Sequence, residues 1–367
     1  MMSKRLIYFH LYNDFSGSPK VLSNVIKRSL EKSSKNEVVE IITSNTEGAL
    51  SELKQLPNVK FHTYSYSFST NKIVTFCRYC RVQFYTFFFA FKYLFSKDTT
   101  FYINTILPVA PALAAKIMGK KVIYHYHENA FIKSSFYRFL CRCMEALASE
   151  IICVSKYQAS FLKRQNNVRV VYNSLSDSFL SNLHPDVEVA FSRKKVLMIA
   201  SLKEYKGVVE FVQIASALTS YHFVLVINDT QNNIDKFFID RKVTIPQNLS
   251  IYPRQDSVTH FYNEASLLVN LSDKNRFIET FGMTVLEAMS AALPVIVPTV
   301  GGVAELVDDG VNGYKIDVQH LDEIIKKISE IFESQTLYSQ LAENALKASE
   351  KINSSKKSTS GYGAKHP

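Results

Sequence analysis

The chain lacks the features that would place it in several large functional classes. None of its aspartates lie two apart, so no Asp-x-Asp pair is available to hold a divalent cation on a diphosphate. Cysteine is scarce: five residues, an odd number, at positions 77, 80, 141, 143 and 153. Cys77 and Cys80 have Cys-x-x-Cys spacing, and Cys141 and Cys143 have Cys-x-Cys spacing. Both pairs fall in aromatic-rich segments of helical character without the turn formers of a zinc knuckle. No metal site is therefore expected, and the thiols read as buried groups in a reducing compartment. Long apolar runs are missing too. In the aromatic stretch 78–95 the longest uncharged run, 82–91, is ten residues, about half of what a bilayer span requires. Ser3, Lys4 and Arg5 lead directly into the apolar run 6–10 with no secretory leader, from which cytoplasmic residence is expected.

What the chain has is length and an alternating pattern. At 367 residues, with 47% hydrophobic and 21% charged, it fits two globular domains of about 170 residues each. Short apolar runs at 6–10, 38–43, 59–64, 101–104, 122–125, 151–154 and 168–172 read as strands separated by amphipathic helices. This is the signature of a parallel sheet with helices on both faces. Residues 173–193 are polar, contain Pro185 and break the alternation, so they read as a linker. A second series follows at 196–199, 223–227, 249–252, 267–270, 295–297 and 314–316. The expected organisation is an α/β chain with a first domain over 1–172, the linker, a second domain over 194–352, and a polar, disordered tail over 353–367. Ligands in such sheets bind beyond the carboxyl ends of the strands.

The net charge of +10 is unevenly spread. Residues 1–172 hold 24 Lys and Arg against 10 Asp and Glu, a net +14, while residues 173–367 hold 19 against 23, a net −4. Such asymmetry points to an anionic partner for the first half only. No nucleic-acid-binding motif accompanies the charge. An anionic membrane is the favoured partner, with the aromatic stretch 78–95, interleaved with Arg78, Arg81 and Lys92, either lying in the interface or packing as a core helix.

Residues 275–303, NRFIETFGMTVLEAMSAALPVIVPTVGGV, carry the chemistry. Thr280, Gly282 and Thr284 read as a helix entry, and Val285, Leu286, Ala288, Met289 and Ala292 give the spacing of a helix that Pro294 ends. A helix start offers unpartnered N–H groups and the positive end of a dipole, where phosphate can dock. Glu279 and Glu287, on either side of that start, would repel phosphate. They suit sugar hydroxyls, because an ionised carboxylate has about four acceptor sites. Phosphate at the helix start with hydroxyls on both glutamates describes a nucleotide sugar.

With its filling, this motif resembles the Glu-x7-Glu region of retaining glycosyltransferases of family 4. The resemblance implies a GT-B architecture, two Rossmann-like domains facing each other across a cleft. It also implies sugar transfer from a nucleotide diphosphate sugar with retention of configuration and without a metal. Glu279 would bind donor hydroxyls, Glu287 the ribose, and N–H groups around Phe281, Gly282, Met283 and Thr284 the sugar or diphosphate. In ASLKEYKGV, residues 200–208, Lys206 and Gly207 match the family pattern, Ser201 stands where the family has arginine, and Lys203 offers a substitute charge. In NDFSGSPKVL, residues 13–22, Gly17 and Ser18 match the family's glycine loop with one glycine where two are common, and Pro19 suits a first helical position. Asp14 would orient an acceptor hydroxyl or cap the turn. In KVIYHYHENA, residues 121–130, His127 aligns with a histidine that meets the donor sugar, and Glu128 would lie on the acceptor side. Base recognition is expected near 227–230 and 252–254. No cofactor is implied; the partners are the nucleotide sugar, a lipid-linked saccharide and the membrane. A nucleotide-sugar epimerase of the same fold and a non-catalytic sugar-binding relative remain open at this point.

Overall fold

The computed structural model describes residues 5–32 and 38–354. The first four residues, on which the expectation of no leader rests, and the tail beyond 354 lie outside them. The chain divides into two compact units, Met1–Val171 and Tyr172–Pro367.

The first unit holds a seven-stranded parallel sheet: β1 (Arg5–Phe9), β2 (Val38–Ser44), β3 (Val59–Tyr64), β4 (Thr99–Asn104), β5 (Lys121–Tyr126), β6 (Glu150–Cys153) and β7 (Val168–Val170). Their order is β3-β2-β1-β4-β5-β6-β7. The second unit holds six parallel strands: β8 (Lys195–Ala200), β9 (His222–Ile227), β10 (Leu249–Tyr252), β11 (Leu267–Val269), β12 (Val295–Val297) and β13 (Gly313–Lys315), in the order β10-β9-β8-β11-β12-β13. All thirteen are found where the sequence places strands. Runs such as HFVLVI in β9 are apolar throughout because helices cover both faces, and the residues Phe223 to Ile227 are all buried. Strand order reverses beside β1 and β4 in the first sheet, and beside β8 and β11 in the second. Those crevices, at the strands' carboxyl ends, receive polar loops.

Several expectations change. Residues 173–193 belong to the second unit: they form helices Asp177–Leu180 and Val187–Arg193. Ala190 sits in that unit's core, and its carbonyl accepts from the Ser266 hydroxyl at 2.5 Å. The helix of Glu287 runs Met283–Ser290 and stops short of Pro294, because Ala292 takes a left-handed φ of 56°. The helix after β1 is Gly17–Lys32, so Pro19 is its third residue. Cys77 and Cys80 are exposed, whereas Cys141 and Cys153 are buried.

Gly207 turns the chain from the β8 loop into the helix Val208–Ala217 with φ 75°, and a Cβ there would lie 2.4 Å from the Leu271 side chain. Gly207→Ala is therefore expected to cost about 2–3 kcal/mol in urea unfolding, from left-handed strain plus the clash. Gly17→Ala, where an added Cβ meets nothing within 4 Å, should stay within about 0.5 kcal/mol of wild type.

Candidate active site

In the second unit the β8 loop and the segment after β11 meet. Lys206 Nζ forms an ion pair with Glu279 Oε1, and the Ser272 hydroxyl donates to the same oxygen at 2.9 Å. The ammonium also lies 4.5 Å from the centroid of Phe277, whose ring stacks on Tyr205 at 4.7 Å. Lys206 and Glu279 are 17% and 16% exposed, so each needs the other. Desolvation alone would push the Glu279 carboxyl up. The Lys206 charge outweighs it, together with hydrogen bonds from Lys206, Ser272 and Asn270, and holds the group below its ordinary value. Glu279 is therefore a fixed anion.

The backbone of Glu279 is held as firmly. Its carbonyl accepts from Gly302 N at 2.8 Å. Gly301, at φ 103°, leaves no room for a side chain, since a Cβ would be 2.6 Å from that carbonyl. Glu287 follows on the short helix and is buried, with Oε2 accepting from the Tyr262 hydroxyl at 2.6 Å. Burial, then the Glu287 charge and hydrogen bond, push the Tyr262 phenol well up. Phe281 is buried against Tyr172 at 5.9 Å, and the Tyr172 hydroxyl donates to Glu305 Oε2 at 2.8 Å. Gly282, Met283 and Thr284 stay partly open at the helix start.

Ser201 is partly exposed and Lys203 exposed. The Ser201 carbonyl accepts from Lys203 N at 2.8 Å, and the Lys203 carbonyl from Lys206 N at 2.9 Å. Between them Glu204 is paired with Arg241 and, at 2.8 Å, with Arg276. These two arginines carry charge at the loop that lacks the family arginine. The sequence reading assigned them no role, and the only signal was Arg276 standing three residues before Glu279.

The first unit meets its crevice with neutral groups. His127 Nε2 lies 3.0 Å from Asn104 Oδ1, and Asn104 Nδ2 lies 3.0 Å from His10 Nδ1 and 3.3 Å from the Ser18 carbonyl. A carbonyl only accepts, so the amide NH2 faces Ser18 and the amide oxygen faces His127. The His127 proton is therefore on Nε2, leaving Nδ1 as a hydrogen-bond acceptor. Burial drives His10 down to about 4, against the opposing charge of Asp14, and His125 down to about 3. His127 is lowered well below its ordinary value by burial, then by His125 and His10. Asn104 ends β4, and no sequence pattern marked it.

The two carboxylates assigned to the acceptor side are turned onto backbone. Asp14 Oδ1 accepts from Ser16 N at 3.0 Å and Ser16 Oγ at 2.5 Å, so it caps the turn before the exposed Gly17. Glu128 accepts from the N–H groups of Ile106 at 3.2 Å and His127 at 3.4 Å. Among the described residues no group of three His, Cys, Asp or Glu side chains is placed to hold a metal ion.

Two outcomes are expected. Lys206→Met leaves Glu279 desolvated without its cation, costing about 2–4 kcal/mol at pH 7 in urea unfolding. In wild type the depressed Glu279 value stabilises above the unfolded value of about 4.5 and that stability is lost on acidification below it; in the variant the raised value reverses the trend. The gap between the two proteins should therefore narrow from about pH 7 to pH 4.5. Second, nitrogen-15 spectra of histidine should show His127 protonated at Nε2, with His10, His125 and His127 untitrated between about pH 5.5 and 8. Asn104→Asp should raise the His127 value, because a carboxylate favours the cation. A proton on Nδ1 would contradict the Asn104 geometry.

Residues 182–348 match the family model of glycosyl transferases group 1. An uncharacterised glycosyltransferase of Methanocaldococcus jannaschii is 26% identical over 234 residues, 62% of this chain and 62% of that relative. The N-acetyl-alpha-D-glucosaminyl L-malate synthase of Bacillus anthracis is 23% identical over 191 residues, 50% of this chain and 49% of that relative. The chain thus matches less than two thirds of either curated relative. Anabaena HepE, solved in complex with UDP-glucose, superposes with a TM-score of 0.73 at 18% identity over 97% of this chain and 98% of that one. The chain has a GT-B fold of two Rossmann-like units, and its second unit matches the family model of glycosyl transferases group 1, which supports a glycosyltransferase.

Proposed function

We propose that the protein is a retaining glycosyltransferase of family 4. It moves a hexose or N-acetylhexosamine from a UDP-linked donor to a saccharide acceptor carried on a polyprenyl diphosphate, at the inner face of the plasma membrane, in bacterial surface-polysaccharide synthesis. The observation that carries the reading is the Lys206–Glu279 pair, seated on Phe277 beside the helix start at Gly282. It sets a fixed anion for sugar hydroxyls next to a fixed cation for a diphosphate.

The roles follow from charge and access. Breaking the glycosidic bond raises the negative charge on the leaving nucleoside diphosphate, and Lys206 with the open N–H groups at the helix start neutralises it. Arg276 and Lys203, exposed on the same loops, supply the charge that Ser201 lacks. Glu279 accepts donor hydroxyls with the oxygen capacity that Lys206 and Ser272 leave. Its commitment to those two groups argues against a nucleophile or general base, so the leaving phosphate itself takes the acceptor's proton during front-face attack. Glu287 takes the ribose by exchanging its bond from Tyr262. His127, neutral with a free lone pair on Nδ1, accepts a hydrogen bond from a donor hydroxyl. Positioning and electrostatics then account for the rate without a metal.

UDP-glucose at about a hundredfold its dissociation constant should stabilise the protein by about 2.7 kcal/mol in thermal-shift measurements, with GDP and ADP sugars inactive. Glu279→Gln should lower transfer by about two to three orders of magnitude in kcat/KM. Stabilisation by no nucleotide, or full transfer by Glu279→Gln, would refute the assignment.

A further inference from the structure

A helix crowded with aromatic residues normally packs them inside something, yet the helix Lys72–Ala90 leaves several of them bare. Its inner side is occupied: Val82, Thr86 and Ala90 are buried, and Tyr79 and Gln83 donate to the Leu107 carbonyl at 2.8 and 3.2 Å. Its outer side carries Ile73, Phe76, Phe84 and Phe88, which are 72, 53, 69 and 56% exposed. The helix Val109–Ile117 packs against both Lys72–Ala90 and Ser135–Leu147, and the same surface continues with Ile117 at 62% and Phe139 at 60%. Phe76 and Phe136 join its two ends at 6.1 Å. The bare area is on the order of 500 Å², at the upper end of what a soluble monomer leaves open without function.

Charge indicates what covers it. These three helices carry Lys72, Arg78, Arg81, Lys116, Arg138 and Arg142 against one carboxylate, Glu145. Glu145 is buried and spent on the N–H groups of Lys163 and Arg164, at 2.6 and 3.1 Å. Arg78 and Arg81 donate to the carbonyls of Ser67 and Ser65, each at 3.0 Å, neutral acceptors that leave their charge in place. Cations on the same helices as an exposed aromatic face are complementary to anionic headgroups above acyl chains. Among the described residues no helix is long and apolar enough to cross a membrane, so such a face would lie along the surface.

We infer that the outer face of these three helices is a shallow docking surface for anionic phospholipid, with Phe84 and Phe88 entering the acyl boundary. This rests on the membrane-facing part of the proposed function and assigns it a specific surface, one that net charge alone does not select.

The chain contains no tryptophan, so Phe88→Trp places a single depth probe in the intact protein. Ile239→Trp, at a position 73% exposed in the second unit, is the control. With phosphatidylcholine vesicles containing about 30% phosphatidylglycerol, the Phe88→Trp fluorescence should shift to the blue and be quenched by brominated acyl chains, and the control should do neither. Phe84→Ser with Phe88→Ser should lower vesicle partitioning about tenfold or more with unchanged circular dichroism. Lys116→Gln with Arg142→Gln should lower it by a similar factor at low salt, about tenfold. Binding that salt abolishes and the two serine substitutions leave intact would overturn this face and keep the electrostatic reading. No binding to anionic vesicles would overturn both. A dimer in sedimentation that the serine substitutions dissolve would give the face to a second copy and overturn the inference. Stabilisation by UDP-glucose is read separately, so none of these failures touches the donor assignment.

Discussion

A carboxylate withdrawn from water must be paired, and much of the second unit's crevice is arranged around that requirement at Glu279. Lys206 supplies the charge and Phe277 with Tyr205 the floor beneath it. Gly207 lets the Lys206 loop close against Leu271, while Gly301 lets the following loop reach the Glu279 carbonyl. Loosening any one of these would leave a buried anion under-compensated, which costs more than a lost surface contact. The pair also gives the crevice an adjacent plus and minus.

The first unit solves the same geometrical problem differently. At its reversal of strand order it buries imidazoles, and it keeps them uncharged by burial and by a single amide whose orientation the Ser18 carbonyl dictates. Neutral groups there can read hydroxyls without attracting or repelling a diphosphate. Asp14 and Glu128, the carboxylates nearest in sequence, are spent on backbone N–H groups. They hold the loops rather than stand ready as free acids.

The sheets were legible in the sequence because parallel strands covered on both faces must be written as uninterrupted apolar runs. Glu279, Glu287 and Lys206 were legible because they stand in fixed spacing beside a helix start or a strand end. Residues 173–193 misled, since Pro185 and the polar stretch hide the spacing of Val187, Ala190 and Phe191 that docks a short helix on the core. Asn104, Tyr262 and Phe277 were invisible for another reason. Each matters through a partner that is distant in sequence or unmarked by any pattern, at separations such as the 94 residues from His10 to Asn104. Periodicity reports the face a residue occupies, not the atom it meets.

The neutrality of the first unit's crevice bears on the charge of the whole unit. Its excess of 24 cations over 10 anions is not gathered on the histidine and asparagine groups at the strand ends, so holding a diphosphate there does not explain it. Six of those cations lie on three neighbouring helices whose outer side also carries Phe84, Phe88 and Phe139. Exposed aromatics without charge would promote aggregation, and charge without aromatics would need no such helices. The two together would complement a partner that is anionic outside and apolar beneath. Under the proposed membrane role, that conjunction, rather than the net charge, is what favours a lipid surface over a nucleic acid as the partner of this half of the chain.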